Sequence, residues 1–246
     1  MVLGVVMRLA GIVILAGGNS KRMGSPKAML TLPNGETLLD YHIKNAAPLN
    51  VPIMIADNKR GFGVDKELAT ETKASISYIA DYVSFDKNVD SSNAIEVKAT
   101  DKTFDKQSDT GGALVAIESA LQSLISPNEQ RVAETMQSGY LMVISCDSLI
   151  RATELWQYLS AFATANQQDK SVLCLSDESH LYPLLGLYKL AIEPVLRDYL
   201  DSGQRRVMRF VEPICQKASF DSQWQDLTNF NTPEDFEKSC KALYKN

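Results

Sequence analysis

The chain has 246 residues, of which 45% are hydrophobic and 22% charged, and its formal net charge is −5. This length and apolar content suit one α/β domain with a full core, and no Pro/Gly/Ser-rich linker divides it. The acidic balance argues against a general nucleic-acid binder, so a chain of this charge that handles phosphates must gather its cations locally.

From the start, Val2 to Leu15 is apolar apart from Arg8. The stretch resembles a signal peptide ending near Ala16-Gly17. It is too short to span a bilayer, however, and cleavage there would cut into the loop that follows. Residues 11–15 are therefore read as the first buried strand and the residues before them as a short extension, with Met7 a second candidate start. The strand breaks into a loop with Gly17, Gly18 and Gly24, among which Lys21, Arg22 and Lys27 bring positive charge. Glycines let backbone N–H groups approach an anion, and the cations neutralise it.

Thr37 to Leu49 reads as a helix, Pro52 to Ala56 as a short strand, and Ile76 to Ala80 as another, followed by Asp81. Residues 84–108 are polar and read as an exposed insertion. Asp109-Thr-Gly-Gly-Ala113 opens a helix over Ala113 to Leu124, with Asp109 or Thr110 as its cap. Tyr140 to Ser145 is a continuous apolar run, the pattern of a central parallel strand covered on both faces, and it ends at Cys146-Asp147. Next come a helix over Ala152 to Ala165, a strand over Ser171 to Leu175, and a strand over Leu184 to Tyr188 leading into a helix from Ala191 to Leu200. Val207 to Val211 reads as a short helix and Leu227 to Phe230 as a last strand. Pro233 starts the final helix in its first turn.

Strands alternating with helices predict a mostly parallel sheet with helices on both faces, and ligands bind such sheets beyond the carboxyl ends of the strands. The glycine loop, Asp81 and Asp147 all fall there. Asp147 has two readings at this point: a turn aspartate, or a Mg²⁺ ligand sharing the ion with substrate phosphates. Lys27 alone reads as a solvated lysine; Arg22 and Gly24 at fixed offsets favour a phosphate role. The loop matches neither the Walker A pattern nor the dinucleotide fingerprint, which disfavours an oxidoreductase. The four cysteines lack zinc or redox spacing, and His42 and His180 cannot build a histidine-rich metal centre. His42 falls in a helix and reads as structural.

The run Leu15-Ala-Gly-Gly-Asn-Ser-Lys-Arg-Met-Gly-Ser-Pro-Lys-Ala-Met-Leu30 resembles the signature of the nucleotidyltransferases that include the molybdenum cofactor guanylyltransferases. Tyr199 to Phe210 and Asn229-Phe-Asn-Thr-Pro-Glu-Asp235 resemble two further segments of that family. So does His180 with Pro183-Leu-Leu-Gly-Leu187. The resemblance implies a single Rossmann-like domain over residues 1–246, of the nucleotide-diphospho-sugar transferase type. It implies Mg²⁺-dependent transfer of GMP from GTP to molybdenum-molybdopterin; a cytoplasmic location is expected because no export or membrane segment is read in the sequence. Partners would be cofactor-biosynthesis and acceptor proteins, with neither nucleic acid nor membrane. By the same resemblance Leu15, Ala16, Gly17 and Gly18 would hold the nucleotide through the backbone, and Asn58 and Asp81 would contact it. Lys27 and Arg22 would act on its phosphates. Asp147 would ligate the metal, and Asn229 and Asn231 would lie at the pterin side. Ser25-Pro26 stands where guanylyltransferases often carry an Asp before the lysine. Cytidylyl transfer to the same acceptor, nucleotide transfer to a sugar phosphate, and a nucleotide-binding regulatory module are the alternatives.

Overall fold

The computed structural model describes residues 7–18, 20, 22–83, 112–125, 139–166, 170–219 and 222–245. The insertion expected at 84–108 and the caps expected at Asp109 and Thr110 lie outside them. The strands are β1 (Arg8–Leu15), β2 (Ile53–Ala56), β3 (Ile76–Tyr78), β4 (Gly139–Ser145), β5 (Val172–Ser176), β6 (Leu181–Lys189) and β7 (Cys215–Ser219). They form one sheet in the order β3-β2-β1-β4-β6-β5-β7. All run the same way except β6, which is antiparallel to both its neighbours. The helices are α1 (Leu38–Ala46), α2 (Lys66–Glu71), α3 (Ala113–Leu124), α4 (Ala152–Asn166), α5 (Glu193–Asp201), α6 (Val207–Val211) and α7 (Pro233–Leu243).

Successive side chains of a strand point to opposite faces, so an apolar run feeds two cores. Ile12, Ile14, Met142 and Ile144 pack with α1, α4 and α7, whereas Val13, Leu141 and Val143 pack with α3, α5 and α6. Leu141 to Ile144 are fully buried, each contributing roughly 1.5–3 kcal/mol by removal from water. The continuous apolar reading of β4 thus reflects a strand covered on both sides. In α1, Thr37 is the N-cap and accepts from Asp40 N, and His42 is fully buried in the core with its ring edge-on to Tyr41. Burial pushes the His42 imidazole down to about 4, so it is neutral at physiological pH. Among the described residues, no helix is long and apolar enough to cross a membrane.

Two expectations about local structure are corrected. Residues 227–230 do not form a strand. Thr228 makes only a single antiparallel bridge to Ser148, and Asn229 sits at φ 55°, which breaks any extended run. The strand of this region is β7 instead, an edge strand on β5 that buries Cys215, Gln216 and Ala218 and exposes Lys217 and Ser219. In addition, α2 has no counterpart in the sequence reading: Asp65 caps it through Glu67 N and Leu68 N, but it buries no residue.

Candidate active site

The register of the sheet assembles the site. Leu15 at the end of β1 is level with Ala56 at the end of β2 and with Ser145 at the end of β4. The residues that follow each strand therefore emerge side by side. Ala16 N donates to Ala56 O at 2.9 Å and Cys146 N donates to Leu15 O at 3.4 Å, stitching the three exits together. Because β6 runs the other way, it begins at this same edge, with Leu185 opposite Ile144. A cavity of about 290 Å³ opens here.

Gly17 is required by close approach. A Cβ on it would lie 2.9 Å from Asn58 Cβ and 3.2 Å from both Asn58 N and Asp57 C. The loop after β2 is itself anchored by buried Asp57, which accepts from Gly61 N at 2.7 Å and Phe62 N at 3.2 Å. Asn58 and Lys59 take left-handed conformations at φ 55° and 59°. Across the cavity, α3 starts at Gly112, whose φ of 83° suits glycine and which supplies no side-chain cap. Gly112, Ala113 and Ala116 line the cavity, so the amino end of α3, with its partial positive charge, opens into it.

Lys27 is the point of convergence. Its Nζ donates to Asn231 Oδ1 at 2.9 Å, lies 3.6 Å from Asp147 Oδ2, and stands 5.6 Å from the centroid of the Phe230 ring. The Lys27 side chain is only 16% exposed and that of Asp147 31%, so their attraction is less screened than on an open surface. Lys27 N also donates to Ser20 Oγ at 3.2 Å, closing the glycine loop. The hydroxyl of Ser145 donates to Asp147 Oδ1. The turn after Asp147 is tied to the C-terminal loop: Phe230 N donates to Asp147 O at 3.2 Å, and Leu149 N donates to Leu227 O at 2.7 Å. Tyr41 OH donates to Leu149 O at 2.7 Å from beneath. A Thr232–Asp235 capping box then launches α7.

Of the residues singled out in the sequence, Leu15, Ala16, Gly17, Gly18, Arg22, Lys27, Asn58, Asp81, Asp147 and Asn231 all line this cavity. Lys21 lies outside the described residues. Asn229 does not line the cavity; its carbonyl and side-chain oxygens receive the Asn231 Nδ2 at 3.1 and 3.0 Å. Ser145, Leu184, Phe230 and the start of α3 belong to the site or its support and were not singled out from sequence. Ser145 carried one signal, a hydroxyl closing an apolar run two residues before Asp147. Among the described residues, no three His, Cys, Asp or Glu side chains cluster into a protein-only metal cage.

A mostly parallel sheet whose strand ends bring a glycine loop, its lysine and an aspartate together in one cavity has the build of a nucleotidyltransferase. The model of the MobA-like NTP transferase domain matches residues 12–218, and the chain belongs to that family. A molybdenum cofactor guanylyltransferase of Shewanella loihica is 30% identical over 108 residues, covering 44% of this chain and 54% of its own. A probable molybdenum cofactor guanylyltransferase of Carboxydothermus hydrogenoformans is 23% identical over 239 residues, covering 94% of this chain and 95% of its own. The crystal structure of the molybdopterin-guanine dinucleotide biosynthesis protein A of Archaeoglobus fulgidus shares the fold. Its TM-score is 0.61 at 17% identity, and the match covers 96% of this chain and 100% of the other.

Proposed function

We propose that the protein transfers GMP from GTP to the terminal phosphate of molybdenum-molybdopterin, releasing pyrophosphate. The observation that carries this reading is the meeting of Lys27 and Asp147, 3.6 Å apart, in the cavity beneath the glycine loop. The names of the relatives support the guanylyl donor and the pterin acceptor. An oxygen of the acceptor phosphate attacks the α-phosphorus, a new P–O bond forms, and the bond to the β-phosphate oxygen breaks as pyrophosphate leaves. The attacking oxygen is already anionic, so no Ser, Cys or His nucleophile is called for. Rate then comes from in-line positioning and from neutralising charge.

In this reading, Leu15 to Gly18 hold the nucleoside through the backbone, and Asn58 and Asp81 contact it. Lys27 and Arg22 face the phosphates. The donor set fits Mg²⁺: the Asp147 carboxylate faces the cavity, and Mg²⁺ typically takes one or two carboxylates and completes its shell with water and phosphates. Asp147 would hold the ion, which would supply positive charge to offset that on the α-phosphate and the leaving pyrophosphate. Asn231, and Asn229 behind it, stand at the acceptor side. Replacing Asp147 by Asn should nearly abolish turnover, read as pyrophosphate release, while the melting temperature stays near that of the parent. Full activity in that variant refutes the assignment. Crossing each nucleoside triphosphate with molybdopterin and with sugar phosphates separates guanylyl from cytidylyl transfer and one acceptor class from the other.

A further inference from the structure

We infer that Ser145 is a positioning residue for Asp147, selecting which carboxylate oxygen is presented to a divalent cation. The inference rests on the proposed role of Asp147 as the metal-holding carboxylate. Ser145 is the last residue of β4, its backbone fixed in register with Leu15. It is 7% exposed yet contributes to the cavity wall. From this rigid platform its hydroxyl donates to Asp147 Oδ1. The other oxygen, Oδ2, is the one beside Lys27 Nζ. The two oxygens thus have separate partners, which a freely rotating aspartate on a turn would not.

The backbone alone does not set this geometry. Asp147 O accepts from Phe230 N, and that bond locks the turn but leaves the side-chain torsions open. Ser145 supplies the missing restraint. With Oδ1 engaged, Oδ2 is held on the Lys27 side and would be the oxygen offered to a cation arriving with a triphosphate. A carboxylate restrained by a hydrogen-bonded neighbour loses less rotational freedom on ligation, and removing such a neighbour typically weakens metal affinity by about 10- to 100-fold.

The test uses the full-length protein and Mn²⁺ as the probe, with binding followed by electron paramagnetic resonance in the presence of GTP. Melting temperatures are recorded for every variant. Ser145→Ala should raise the Mn²⁺ dissociation constant by roughly 10-fold or more, and Ser145→Thr, which restores a hydroxyl, should recover most of it. In steady state, the Mg²⁺ concentration for half-maximal rate should rise in Ser145→Ala by more than the rate at saturating Mg²⁺ falls. Asp147→Asn is the control that separates the two layers. If Asp147→Asn loses Mn²⁺ and Ser145→Ala binds it as the parent does, the role of Ser145 is overturned and that of Asp147 stands. If Asp147→Asn binds Mn²⁺ unchanged, both are overturned. A melting temperature that falls in Ser145→Ala with metal affinity unmoved also overturns the inference, because the hydroxyl would then serve only the fold.

Discussion

Replacing either of two adjacent glycines by alanine adds the same methyl group, and the structure assigns the two changes very different outcomes. At Gly17 the new Cβ would lie 2.9 Å from Asn58 Cβ and 3.2 Å from backbone atoms of Asp57 and Asn58. Ordinary contact begins at 3.4 Å, so something must retreat by 3.4 − 2.9 = 0.5 Å. The loop after β2 resists, because Asp57 is buried and binds Gly61 N and Phe62 N. The glycine loop is the part that moves. Overpacking of this kind costs about 1–3 kcal/mol. At about 2–4 °C per kcal/mol for a chain of this size, Gly17→Ala should melt about 2 to 12 °C lower. If this loop holds the nucleotide as proposed, a displacement of about 0.5 Å should also lower kcat/KM for GTP, by about 10-fold. At Gly18 no described residue lies within 4 Å of the added Cβ, so Gly18→Ala should melt within about 1 °C of the parent. Differential scanning fluorimetry and pyrophosphate release on both variants make the comparison. Equal melting temperatures for the two would refute the packing argument.

Two further outcomes follow from charged groups in and near the core. Glu118 lies fully buried on α3, and burial pushes its carboxyl up to about 7 from an ordinary 4.5, against the pull of Gln122 and of Arg197, which also binds Glu193. Its contribution to stability is fully present below pH 4.5 and is lost as pH rises through about 7, because the unfolded chain ionises first. Glu118→Gln should therefore gain stability relative to the parent between pH 5 and pH 8, and parallel melting curves across that range would disprove it. The Lys27–Asn231 bond predicts a coupling of about 1 kcal/mol in a double-mutant cycle of Lys27→Met and Asn231→Ala read by urea unfolding. Effects that add to within about 0.3 kcal/mol would mean the two side chains do not support each other.

The parts of this molecule legible in its sequence are those where one local rule dominates. β1 and β4 are apolar on both faces and end in loop residues, so Asp147 and the glycine loop could be placed at the sheet edge before their neighbours were known. Pro233 marked the start of α7. The reversed direction of β6 was not read, because alternation carries no arrow. Its cause is nonetheless local: only residues 177–180 separate β5 from β6, too few for a parallel crossover. β7 was missed because Cys215-Gln-Lys-Ala-Ser219 holds no β-branched or aromatic residue and gains its order from lying along β5. Residues 227–230 misled for the opposite reason: their composition suits a strand, but their backbone groups are committed to the turn after Asp147. Ser145 and Phe230 could not be assigned from sequence, because their partners, Asp147 Oδ1 and Lys27 Nζ, are set by side-chain geometry and by long-range closure.

The bond between Lys27 and Asn231 joins residues 204 positions apart. The last described strand ends at Ser219, twelve residues before Asn231 (231 − 219 = 12). During synthesis, every described strand of the sheet has left the ribosome before the partner that holds Lys27 is available. The scaffold thus precedes its chemistry in time. A nascent chain paused between residues 219 and 229 would carry the glycine loop and Asp147 while lacking both Phe230 and Asn231 beside the lysine.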